Sequence, residues 1–189
     1  AFARLHGAHA VASFDPSTSS TTDLAATGRR PGVTAAAGPF GAVEAQVVGA
    51  SGRRLPVGLV VGRSDAGGPV DRLHIDEGTW LTGTGQIVLS REFVRSGDTT
   101  WKIGGTVTVD GSSVRIVGIA ESVTGSAGAW VWPSQLSAPT SLQMLYRFAA
   151  AANDDDIRSG LASATGALPA GALTGSTSYL AVKLRANEA

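Results

Sequence analysis

The chain contains no cysteine, which excludes disulfide staples and thiolate chemistry and leaves the redox compartment unmarked, although an oxidising one would be tolerated. Net charge is absent as well. Fifteen Lys and Arg are cancelled by fifteen Asp and Glu, so neither nucleic acid nor an anionic membrane surface is expected as a partner. Aromatic residues make up only 6% of the chain, with two Tyr. No apolar run approaches the roughly 18 residues of a membrane helix; the best, Val57 to Val61, is broken by Gly58. An initiator Met and a signal peptide are also missing, so the sequence reads as a soluble fragment, processed or excised. Its 189 residues suffice for one compact unit burying roughly 70% of its unfolded surface. Thirteen of the fifteen basic residues are Arg, a bias that fits a GC-rich genome better than a function.

What is present is clearest between Gly85 and Ala120. Gln86 to Leu89 is a brief apolar run, and Ser90 stands where it can cap a helix from Arg91 to Arg95 that ends at Gly97. Thr106 to Val109 and Val114 to Ile119 are β-branched runs joined through Asp110-Gly111, the dipeptide that accepts positive φ at both central positions of a tight hairpin. Strand, short helix and hairpin succeed one another with clear boundaries.

The rest of the chain reads as α+β. A first strand is expected at His9 to Phe14, stopped by Asp15-Pro16, and the Ser/Thr cluster at Ser17 to Thr22 supplies an N-cap for a helix over Asp23 to Thr27. Further strands are expected at Val33 to Ala37, Ala42 to Val48 and Leu55 to Val61, separated by Gly38-Pro39 and Ser51-Gly52. Leu73 to Ile75, Ala129 to Trp132, Leu142 to Ala149 and Tyr179 to Leu184 complete the strand set, and Asn153 to Asp156 opens a helix to about Thr165. These elements predict one mixed β-sheet with short helices, in which the terminal strands are neighbours. Residues 1–189 are expected to form a single domain, with the Gly67 to Pro69 break offering a division into two lobes.

Residues for chemistry are few. A serine hydrolase needs a Gly-x-Ser-x-Gly elbow followed by an acid and a His; the segments around Ser64 and Ser126 miss that spacing, and no His follows Ser126. His6 and His9 are spaced for one helical face but have no third ligand at zinc-like spacing, and His74 stands apart. Asp154 to Asp156 lack the alternating oxygens of a calcium loop. Gly83-Thr84-Gly85 is not followed by a phosphate-binding Lys-Ser/Thr. No catalytic, cofactor-binding or metal residue is therefore assigned. Trp130 and Trp132, two apart in an expected strand, would project from one face and are the candidate ligand or partner contacts, with Trp80 and Trp101 as possible additions. An exposed pair would make the chain a secreted carbohydrate-binding module, the alternative functional reading; the competing reading places the indoles in a core strand.

The order of elements resembles the extracytoplasmic domain of bacterial ABC transporter permeases of the MacB/FtsX superfamily. There a glycine-tryptophan turn precedes a strand, a helix and a hairpin; the matching pieces are Gly78 with Trp80, Gly85 to Ser90, Gly105 to Val109, and Val117-Gly118-Ile119. Phe2 to His9 is similar to the phrase that comes after the first membrane helix of such proteins, and Tyr179 to Leu184 to the strand preceding the second. Thr79 and Gln86 depart from the usual Arg and Glu. The resemblance implies a MacB-like mixed sheet with no enzymatic activity and no cofactor, on the extracytoplasmic face of the cell membrane. It also implies membrane helices and a cytoplasmic ATP-binding subunit as partners, with an extracytoplasmic protein as a further one. The domain would couple ATP hydrolysis to export or to regulation of that partner.

Overall fold

Runs of β-branched residues and alternating burial make strands of most of the regular elements among the described residues, and hydroxyl or amide caps start the helices. The computed structural model describes residues 1–96 and 101–180. In chain order the first elements are β1 (Ala10–Phe14), α1 (Thr21–Thr27), β2 (Val33–Ala45), β3 (Val48–Gly49), β4 (Gly58–Gly62) and β5 (His74–Gly78). They are followed by β6 (Gln86–Ser90), α2 (Arg91–Ser96), β7 (Thr106–Val109), β8 (Ser112–Glu121) and β9 (Ala129–Val131). A 3₁₀ turn at Pro133–Gln135, β10 (Ser141–Phe148), α3 (Asp154–Thr165) and β11 (Leu173–Ser178) complete the order. The described residues divide into two compact units, one within residues 1–40, 67–72 and 141–180, the other within residues 41–66 and 73–140.

In the first unit β1 is the middle strand, antiparallel to β10 on one side and to β11 on the other. Its sequence alternates small residues inward, and the register sets Ala10 opposite Tyr146 and Ala12 opposite Met144. Alanine thus leaves room for a large partner across the strand pair. Ala10, Ala12, Phe14, Met144, Tyr146 and Phe148 form a core with Leu24 of α1 and with Ile157, Leu161 and Ala164 of α3. Fully burying side chains of the larger sizes contributes about 1.5–3 kcal/mol each. The intervening residues serve a smaller cluster on the other face, where Leu145 packs with Ala8 and Val70, and with Val11 and Phe40 beside them. Ser20 caps α1 by accepting from Asp23 N–H, and Asn153 caps α3 by accepting from Asp156 N–H at 2.9 Å. Within the core, the Tyr146 hydroxyl meets Thr27 Oγ1 at 2.6 Å, and burial pushes the phenol up to about 12.

The second unit is built on β6, which runs parallel to β8 and antiparallel to β9, while β9 runs parallel to β4. β8 also pairs antiparallel with β5 and β7. The sheet is therefore mixed, as expected. Its core is branched and aliphatic, with Val60, Ile87, Leu89, Val107, Val114 and Ile116 among its members. The β7–β8 hairpin turns through Asp110 at φ 49° and Gly111 at φ 76°, between paired Val109 and Ser112. Positive φ at both central positions is the mirror-image turn that matches strand twist. Ser90 ends β6 and caps α2, its Oγ accepting from Phe93 N–H at 3.0 Å.

Three strand boundaries differ from expectation. Gly38-Pro39 does not divide two strands: β2 runs through it, with Gly38 at φ 105°. A Cβ on Gly38 would lie 2.5 Å from the carbonyl oxygen of Gln143, so the glycine is a point of close approach within a strand. The strand expected from Leu55 begins only at Gly58, beyond Pro56, whose missing N–H cannot join a ladder. Of the strand expected at Tyr179 to Leu184, Tyr179 and Leu180 are helical rather than extended, and the last described strand lies upstream at Leu173–Ser178; residues 181–184, like Gly97, lie outside the described residues. β11 reads Leu-Thr-Gly-Ser-Thr-Ser and is mostly exposed, so it carries no apolar alternation to reveal it.

Candidate functional site at the chain ends

The structure scatters most residues that the sequence singles out. Trp130 is 1% exposed and its ring lies 5.9 Å from that of Trp80. Trp132 is half-buried and sits beyond the end of β9, before the 3₁₀ turn. These two indoles therefore do not form the exposed platform that a carbohydrate-binding face requires, because the first of them is buried. Trp101 is buried as well. Ser126 is buried with its Oγ 3.3 Å from Ser122 Oγ, and Ser64 is exposed on a loop. Asp154, Asp155 and Asp156 occupy the first turn of α3, where Asp154 accepts from Ser178 Oγ and Asp155 pairs with Arg158. Among the described residues, no group of three or more His, Asp or Glu stands where it could hold a metal ion. In the second unit Arg91 bridges Asp76 at 2.9 Å and Glu77 at 3.0 Å, and both carboxylates hold the guanidinium firmly charged. Arg91, Arg95, Glu92 and Glu121 also line a shallow groove of about 160 Å³.

His6 and His9 do not share a helical face. His6 adopts φ 52° at the end of a turn, and its Nδ1 lies 3.1 Å from the Pro69 carbonyl oxygen. His9 lies at a bend just before β1. There it joins a cluster that gathers both ends of the described chain. The Phe2 ring stacks on Tyr179 at 4.8 Å between centroids, His9 lies 5.5 Å from Tyr179 and 6.2 Å from Phe2, and the Arg147 guanidinium sits 5.9 Å from the Phe2 centroid. Backbone pairing places these rings. His9 N–H donates to Tyr146 C=O, Tyr179 N–H donates to His9 C=O, and Phe148 N–H donates to His9 Nδ1 at 2.9 Å. Arg147 donates to the Gly7 carbonyl, and the Tyr179 hydroxyl donates to Ala151 C=O at 3.3 Å.

Gly7 completes the arrangement, because a Cβ there would collide with the Phe2 ring. Offset aromatic pairs of this kind contribute about 0.5–1.5 kcal/mol beyond burial, and the guanidinium over a ring adds about 0.5–1 kcal/mol where it is exposed. Burial, and then the neighbouring Arg147 charge, hold the His9 imidazole below its ordinary value. A backbone group that accepted the ring proton would favour the charged form. Phe148 instead presents its N–H to Nδ1, which only an unprotonated nitrogen can accept. The sequence singles out His9 but not Phe2, Arg147 or Tyr179 as its partners. A cluster that spans the whole chain leaves no local spacing to find.

The chain matches the family model described as the MacB-like periplasmic core domain over residues 5–187. No curated protein matches it. Among solved structures it is similar to the periplasmic region of MacB from Actinobacillus actinomycetemcomitans, with a TM-score of 0.54 at 13% identity, covering 98% of this chain and 96% of that one. It is also similar to the extracellular domain of the noncanonic ABC-type transporter YknZ from Gram-positive bacteria, with a TM-score of 0.56 at 14% identity, covering 88% of this chain and 100% of that one. At these identities the likeness is one of fold.

Proposed function

The chain belongs to the MacB-like periplasmic core domain family, the extracytoplasmic domains of MacB/FtsX-type ABC transporters, and from that premise we propose that it acts as a non-catalytic module of a permease. In this reading membrane helices flank the domain, a cytoplasmic ATP-binding subunit drives them, and their movement reaches the extracytoplasmic side through the two ends of this chain. The output is displacement of a substrate or regulation of a partner protein outside the membrane. The observation that carries the reading is the antiparallel pairing of β1 with β11, capped by the stack of Phe2 on Tyr179. Strands of opposite sense bring the entering and leaving segments to one place, as a domain tethered at both ends by one membrane requires.

The experiment is a Phe2→Ala, Tyr179→Ala double variant in the full-length transporter with its ATP-binding subunit. ATP hydrolysis should persist while the extracytoplasmic output falls at least severalfold, a loss of coupling rather than of catalysis. Output that stays proportional to hydrolysis would overturn the reading, as would a gene whose sequence has no apolar helices flanking this segment.

A further inference from the structure

The cluster at the chain ends holds one group whose protonation state its own hydrogen bonding fixes. His9 Nδ1 accepts the Phe148 N–H at 2.9 Å, and the imidazole lies against Tyr179 and Phe2. A proton on Nδ1 would turn the acceptor into a donor and set two N–H groups face to face. Arg147, the residue before Phe148, would then confront a second cation while its guanidinium remains tied to Gly7 and Phe2. We propose that this cluster is a proton-sensitive latch, in which protonation of His9 releases Phe148 N–H and parts Phe2 from Tyr179, loosening the two chain ends from each other. The proposal rests on the reading of those ends as the transmitting elements.

The surrounding charges favour this direction. β1 itself carries no titratable side chain, the N-terminal turn contributes Arg4 and His6, β10 contributes Arg147, and Tyr179 follows β11. α3 contributes Asp154, whose Oδ1 already accepts from Ser178 Oγ at 2.9 Å. The charged neighbour that shifts the imidazole is the Arg147 cation, and it opposes a positive His9. Burial and Arg147 together depress the folded-state pKa, whereas an unfolded chain takes up the proton near 6.5. The unfolded state therefore binds more protons over the interval below that value. The latch contributes fully above about pH 6.5 and is lost as pH falls through the lower folded value.

The test is a proton NMR titration of this 189-residue chain from pH 8 to pH 4.5, reading the His9 ring signals, the Phe148 amide shift and the ring-to-ring cross-peaks between Phe2 and Tyr179. His9 should titrate with a midpoint below about 6.5, the Phe148 shift and the cross-peaks should change at that midpoint, and His9→Asn, which keeps an acceptor without a titration, should hold the cross-peaks throughout. Arg147→Gln should move the midpoint upward. Cross-peaks that survive His9 protonation, that vanish equally in His9→Asn, or that remain because His9 never titrates would each overturn the latch. Because the readout needs neither membrane nor nucleotide, a failed latch would leave the transporter reading standing, and output that stays proportional to hydrolysis in the full transporter would leave the latch standing.

Discussion

The two units solve the same packing problem with different side chains. In residues 41–66 and 73–140 a mixed sheet with two parallel strand pairs is filled by Val, Ile and Leu, the composition that strands buried on both faces demand. In residues 1–40, 67–72 and 141–180 an antiparallel set built around β1 sets alanines opposite Tyr146 and Met144, and helices α1 and α3 supply the remaining apolar surface. The first solution is carried by local pattern in each strand. The second depends on partners distant in sequence, because an alanine strand has meaning only beside the large residues it accommodates.

The sharpest way to break this comparison is Trp130→Ala. The indole is 1% exposed, and truncating a buried Trp costs about 3–5 kcal/mol. Thermal melting should fall accordingly, and amide exchange should show β6 and β9 losing protection well before β1 and β10. Equal loss in both sets would mean that the two cores share a single unfolding free energy.

Gly111→Val is expected to cost less, about 1–3 kcal/mol. Nothing lies within 4 Å of a Cβ at this position, so the effect isolates the backbone demand of φ 76° in the hairpin. An unchanged melting temperature would remove the turn from the account of the second unit. The smallest effect belongs to the first unit: Asn153→Ala removes the acceptor of Asp156 N–H and should cost about 1 kcal/mol. Amide exchange of the α3 first turn would report it. Loss of protection confined to that turn would sharpen the contrast between a helix started by its cap and strands held by packing.

Legibility in the sequence divides along the same line. The β6 strand, the start of α2 and the β7–β8 hairpin are readable because β-branched runs, a Ser cap and an Asp-Gly turn are local signals, and each stands where expected. α1 and α3 are readable from Ser20 and Asn153 for the same reason. β11 is not, since its hydroxyl-rich edge owes its conformation to the backbone ladder with β1. Trp130 and Trp132 leave an outward pair and a core strand both open, because period-2 reasoning gives a common face but not which face is covered. The chain-end cluster escapes entirely: Phe2, His9, Arg147 and Tyr179 come together only when β1, β10 and β11 are in register.

That register also dictates a timetable. During synthesis β1 emerges from the ribosome ahead of every other strand of this segment, yet both of its neighbours, β10 and β11, are made after all the strands of residues 41–140. Those intervening strands can pair with one another while β1 still has no ladder partner, so the nascent chain carries an unmatched early strand through most of its production. Long-range pairing of this kind is slow and leaves strand edges open to wrong partners. A secretion or insertion apparatus that kept the first strand extended until the last emerged would therefore shorten the period in which this chain is most prone to aggregate.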